Sequence, residues 1–283
     1  MKQEQYIIDV IDGDPDDKVW KLPLTEVPVS SENEFSRRDK LPEPFNQGSL
    51  GSCVGCSGAG VVSDEDYLLL NDPSPMWIYR RAQFYDVWPG EDYSGTSIAG
   101  ACKVLQKEGC CSEAFWPYVA NKDTSAKDGA DEEASKAKIT AYYKLPMQEV
   151  NQIKDALRTK TLWFSYDIYK QFYTIKSDGI LKTEGYMESE KSGGHAVALI
   201  GWKYIDDKLF WEVRNSWGTR WGNKGHFWIE HGLLEKIIHG GMYVITINEP
   251  APKRKRTSRI ARFFNAIVDK FKYFGNWIKG LFK

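Results

Sequence analysis

Asn46-Gln47-Gly48-Ser49-Leu50-Gly51-Ser52-Cys53 opens the part of the chain that decides its fold, and two remote stretches answer it: Gly193-Gly194-His195 and Asn215-Ser216-Trp217-Gly218. A cysteine, a histidine and an asparagine in that order, each in a glycine-flanked setting, are the parts of a thiol nucleophile with its base and orienting group. Ser52 suits an N-cap, which starts a helix at Cys53 running to about Leu70 and places the sulfur at the positive end of the helix dipole, where a thiolate is favoured. Gly55, Gly58 and Gly60 cost such a helix about 1 kcal/mol each relative to alanine. The helix therefore needs tertiary support, and small residues from 55 to 60 suit a central helix that other elements approach closely. A buried structural cysteine is the competing reading for any single thiol, and it is the one assigned to Cys56, Cys102, Cys110 and Cys111.

His195 and Asn215 are joined by topology. The β-type runs 195–202 and 209–213 flank Asp206-Asp207, and a hairpin turning there returns residue 215 to the end of the sheet where His195 sits. An asparagine oxygen can then accept the imidazole Nδ1–H and leave Nε2 toward the thiol, with Trp217 shielding that bond from water. His226, His231 and His239 have no comparable setting and read as satisfied structural residues.

The wider composition is that of an ordinary globular chain: 283 residues, 42% hydrophobic, net charge −1. No apolar run reaches about 18 residues, and Met1-Lys2-Gln3-Glu4-Gln5 lacks the basic and apolar regions of a secretory signal. Five cysteines form an odd set without zinc-type spacing, so reduced thiols in a cytoplasmic protein, without metal or cofactor, are expected. Residues 1–45 are acidic and proline-punctuated and read as an extended lead-in. Residues 46–140 read as a helical lobe, with a helix over Ile98–Lys107 stopped by Gly109. Residues 121–138 read as a solvated loop or exposed helix, without assigned function. From 141 to 250 short β-type runs at 162–166, 195–202, 209–213, 225–229 and 242–247 define a β lobe. Segregated helices and strands give an α+β class.

The C-terminal stretch differs electrically. Residues 253–283 hold ten Lys or Arg against the single acid Asp269, so they carry +9 and residues 1–252 carry −10. Phe263, Phe264, Ile267, Val268, Phe271, Phe274, Trp277, Ile278 and Leu281 fall on one helical face, interrupted by too many cations for a membrane span. Residues 251–283 are therefore expected to form a basic amphipathic helix. Such a helix can lie on an anionic membrane surface, dock on a partner protein or the acidic body, or, with Lys253-Arg254-Lys255-Arg256, meet nucleic acid, the less favoured option.

Gln47 through Cys53, Gly194-His195-Ala196 and Asn215-Ser216-Trp217-Gly218-Thr219-Arg220-Trp221-Gly222 together resemble the papain-like cysteine peptidases over residues 40–247. The wording is closest to prokaryotic-type members, through Ser94-Gly95-Thr96-Ser97-Ile98 and the run from Glu108 to Tyr118, and both a bacterial and a viral source are compatible with it. The resemblance implies a two-lobed α+β fold: a helical N-terminal lobe whose central helix starts at the catalytic cysteine, and a C-terminal lobe built on an antiparallel sheet or barrel. It implies Cys53 as nucleophile, His195 as general base and acid, Asn215 as orienter, and Gln47 as oxyanion donor beside the Cys53 N–H. A polypeptide would be the substrate and a thioester the intermediate. Leu50 stands where many secreted members carry a cysteine, Val54 where an aromatic residue usually follows the nucleophile, and Gly194 where many carry a polar residue. The lead-in is shorter than the pro-domain of lysosomal members and lacks its helical pattern, so a large pro-segment is not expected. Two other functions are compatible with these residues. One is a catalytically silent module tethered by its C-terminal helix, which the four intact site residues argue against; the other is acyl transfer on a non-protein amide.

Overall fold

The computed structural model describes residues 20–21, 32–64, 70, 72–86 and 94–247. The chain divides into Met1–Glu249 and Pro250–Lys283; the second unit, with the basic amphipathic helix expected over 251–283, lies outside the described residues. No helix among the described residues is long and apolar enough to cross a membrane.

Among the described residues, α1 (Cys53–Val62), α2 (Pro75–Ala82) and α3 (Ile98–Lys107) are the main helices of one half. Ser74 caps α2 by accepting the Trp77 N–H at 3.0 Å, with Pro75 in the first turn, and Ser97 caps α3 through the Gly100 N–H at 2.9 Å. Both are the local chemistry that satisfies a helix N-terminus. A short helix, α4 (Ala130–Ala134), is the only helical turn in the 121–138 region.

Among the described residues the other half is one sheet of eight strands: β1 (Trp20–Lys21), β2 (Glu34–Ser36), β3 (Ala141–Leu145), β4 (Leu162–Tyr169), β5 (Lys191–Ile205), β6 (Lys208–Arg214), β7 (His226–Glu230) and β8 (Met242–Thr246). The order is β1-β3-β8-β4-β5-β6-β7, with β2 also on β5, and every pairing is antiparallel except β1 on β3. Two helices, α5 (Val150–Thr159) and α6 (His231–Ile237), accompany it. The α+β class expected from the sequence holds, with helices also in the strand-rich half.

Within the lead-in, the described residues 34–37 lie on the body: Phe35 pairs with Trp202 on the sheet and Arg37 is buried against Asp64 at 2.7 Å. Two readings are corrected. The helix from Cys53 ends at Val62 instead of Leu70. Ser52 occupies the N-cap position of α1, but its side chain makes no cap bond and its hydroxyl is turned to Tyr118 Oη at 2.6 Å.

The glycines of α1 explain its place. A Cβ on Gly58 would lie 2.5 Å from the Trp163 ring of β4, one on Gly60 would strike the Arg214 guanidinium of β6, and one on Gly55 the Pro75 carbonyl of α2. The helix is thus wedged between α2 and the sheet, and Trp163 Nε1 donates to Ser57 Oγ at 2.7 Å across that junction. Close packing replaces the propensity lost to glycine. Apolar residues on the two faces of the sheet belong to two cores, one shared with α1 through Trp163, Ala196 and Ala198, the other built on Phe164, Tyr166, Val197 and Leu199. This alternation along β4 and β5 is the period-2 consequence of strand geometry.

Candidate active site

Cys53 is the first residue of α1 and is fully buried. The sulfur therefore sits at the positive end of the helix dipole, the setting that favours a thiolate. Val54 behind it is buried in the core shared with α2, so the missing aromatic residue is a packing change.

His195 stands on β5 opposite Tyr166 of β4. The β5–β6 hairpin turns at Asp206-Asp207, both with positive φ (49° and 60°), and pairs Ile205 with Lys208 and Ala198 with Arg214. Positive φ at both central residues is the two-residue hairpin turn whose twist matches its strands. Asn215, the next residue, returns beside His195, and His195 Nε2 meets Asn215 Oδ1 at 2.7 Å. The same oxygen accepts the Ser216 N–H at 2.8 Å, which fixes the amide's orientation. An oxygen facing Nε2 requires the proton there, so the neutral ring is the Nε2–H tautomer with its lone pair on Nδ1. The expected assignment of the two nitrogens is thereby reversed: the outer nitrogen reaches Asn215 on the neighbouring chain segment, and Nδ1 is the one left with a free lone pair. Nδ1 is buried without a hydrogen-bond partner.

Trp217 packs over the imidazole at 5.3 Å between ring centroids, with Tyr166 at 6.2 Å and Phe172 at 6.1 Å. Burial pulls the His195 pKa from 6.5 down to about 4, partly opposed by the bond to Asn215. An imidazolium here therefore calls for an adjacent anion.

Gln47 is brought in from the other side. Asn46 bridges Trp217, and Gln47 N–H donates to the Ser216 carbonyl at 2.8 Å. Ser216 Oγ donates to Gln47 Oε1 at 2.6 Å, and Gln47 Nε2 donates to the Leu50 carbonyl at 3.0 Å. The amide is pinned at both ends, with its NH2 group turned toward the loop that precedes Cys53. Gln47, His195 and Asn215 are thus assembled by one local network, and Cys53 shares a core with Ala196, the neighbour of His195.

Sequence reasoning misses Ser216, although it lies beside Asn215 in its motif, and also Phe172 and Tyr166, whose signal is the aromatic run 164–173. The other cysteines are buried, and burial pushes the Cys56 and Cys111 thiols up to about 12. His226 Nδ1 contacts the Lys224 carbonyl at 2.9 Å, His231 Nδ1 accepts from Trp211 Nε1 at 3.2 Å, and His239 Nε2 meets Asp167 at 2.7 Å. All three are engaged away from Cys53. Among the described residues no group of His, Cys, Asp or Glu is arranged to hold a metal ion.

A family model described as papain family cysteine protease matches residues 32–244. An uncharacterized peptidase C1-like protein of Acanthamoeba polyphaga mimivirus is 29% identical over 74% of this chain and 73% of its own length. A cathepsin B-like protein (CP2) of Giardia intestinalis is 26% identical over 77% of this chain and 74% of its own. The crystal structure of xylellain, a cysteine protease from Xylella fastidiosa, superposes with a TM-score of 0.72 at 21% identity, covering 88% of this chain and 99% of that one, a likeness of fold.

Proposed function

Because the chain belongs to the papain family of cysteine proteases, we propose that its cysteine-type endopeptidase activity runs through Cys53, His195, Asn215 and Gln47. The enzyme is a hydrolase of polypeptides. In the proposed cycle the Cys53 thiol passes its proton to His195 Nδ1, and the thiolate attacks the scissile carbonyl carbon. The thiolate is the anion that the buried imidazolium needs. Gln47 Nε2 and the Cys53 backbone N–H receive the oxyanion. Imidazolium Nδ1–H then protonates the leaving amine, and water delivering its proton to Nδ1 hydrolyses the thioester to acid and thiol. Asn215 holds the ring so that one nitrogen serves all three transfers.

The observation that carries this reading is the His195–Asn215 bond at 2.7 Å, with the Asn215 oxygen pinned by Ser216 N–H. Acid quenching during turnover of an acyl-amino-acid ester, followed by peptide mass mapping, should find the acyl group on Cys53. Acyl groups on another cysteine, or none, would overturn it.

Two further assignments belong to the proposal. An odd set of five cysteines without zinc-type spacing supports a cytoplasmic enzyme with reduced thiols. The +9 charge and amphipathic pattern of residues 253–283 support an attachment element, with an anionic membrane surface or a protein partner as its target.

A further inference from the structure

The run from Glu108 to Tyr118 and the turn beyond it take no part in the cycle above, yet they converge on the loop that presents Gln47. Tyr118 Oη donates to the Gln47 carbonyl at 2.9 Å and lies 2.6 Å from Ser52 Oγ. A phenol has one proton, so with that proton on Gln47 the Ser52 hydroxyl is the donor in the second bond. One side chain thereby ties the first residue of the loop to the residue before the nucleophile. Burial pushes the phenol's pKa well up, so it stays protonated and keeps donating. At the middle of the loop Asn121 Oδ1 accepts the Ser49 N–H at 2.6 Å. Gly48, with φ +57°, lies so close to Asn121 that a Cβ would strike that same oxygen.

The clamp is itself anchored. Both Glu113 carboxylate oxygens accept the Tyr118 N–H, at 3.0 and 3.1 Å, and Asp123 pairs with Arg80 of α2 at 2.7 Å. Residues 47–52 would otherwise depend on their own turn to hold an amide donor within the few tenths of an ångström that oxyanion binding demands.

We infer that Tyr118 and Asn121 are positioning residues that hold the 47–52 loop in its oxyanion-binding geometry, an inference that rests on Gln47 being the oxyanion donor. Tyr118→Phe keeps the ring and removes both hydrogen bonds; Asn121→Gly keeps the left-handed backbone (φ 63°) and removes the acceptor. Each should lower kcat on a peptide substrate about tenfold with KM unchanged, the loss of roughly one well-placed hydrogen bond. Each should weaken a peptide aldehyde, whose hemithioacetal oxygen needs the hole, by a similar factor. Alkylation of Cys53 by iodoacetamide needs no oxyanion hole and should keep its wild-type rate. In a Gln47→Ala background, itself reduced about 10²–10³ in turnover, Tyr118→Phe should have little further effect. Unchanged kcat in both single variants while Gln47→Ala is impaired would overturn the clamp alone. Alkylation falling in step with kcat would make the role merely structural and overturn it too. Full activity of Gln47→Ala would remove the oxyanion assignment and the clamp together.

Discussion

At the residue scale the site depends on a histidine that the fold keeps neutral. Burial holds His195 near pKa 4, and burial with the nearby Arg38 charge does the same to His226. The unfolded chain protonates both near 6.5, so between about pH 6.5 and 4 it binds more protons than the folded state. Stability must fall as pH falls through that window and level off below it, by up to about 3 kcal/mol per histidine. Urea unfolding of a Cys53→Ala variant at pH 7 and pH 4 should show the loss, and His226→Gln should remove a large part of it. Equal stability at the two pH values would contradict the buried neutral state. At this scale the sequence showed which residue types gather, since cysteine, histidine, asparagine and glutamine sit in their motifs. It could not show which imidazole nitrogen faces the thiol, because that is set by the Asn215 oxygen and the Ser216 N–H that fixes it.

At the scale of elements, the β5–β6 hairpin was legible because Asp206-Asp207 lies between two β-type runs, and Ile98–Lys107 because its apolar spacing ends at glycine. The end of α1 was not, since the chain just beyond Val62 is governed by a long-range ion pair. Arg37 reaches Asp64 with two nitrogens, at 2.7 and 2.8 Å, and donates to the Arg158 carbonyl at 2.9 Å, while Thr161 Oγ1 donates to the same carboxylate at 2.8 Å. This buried junction joins the segment before the 47–52 loop to the end of α1 and to the strand-rich half, which is why 32–41 is part of the body. Arg37→Ala leaves Asp64 buried and unpaired, so equilibrium unfolding should show a loss of about 3–5 kcal/mol. A loss within the range of an exposed pair, about 1 kcal/mol or less, would show that this junction does not hold the segment to the body.

For the whole molecule, two halves of different character meet along α1, whose glycines admit Trp163, Arg214 and Pro75. Composition suggested two halves divided near 141, but offered no sign of β1 or β2, whose few residues have no periodicity to read. The charge division between −10 over 1–252 and +9 over 253–283 makes the proposed attachment a question to be asked of the full chain. Flotation with anionic liposomes should carry the full chain upward and leave a 1–252 truncation behind; identical behaviour of the two would sink a membrane role. The central claim is that Cys53, activated by His195, is the nucleophile. Labelling the full chain with an epoxysuccinyl thiol-protease reagent, followed by peptide mapping, tests it most directly. Cys53 should be modified, and the modification should vanish in His195→Ala; labelling without preference for Cys53 over the other four cysteines would contradict the assignment.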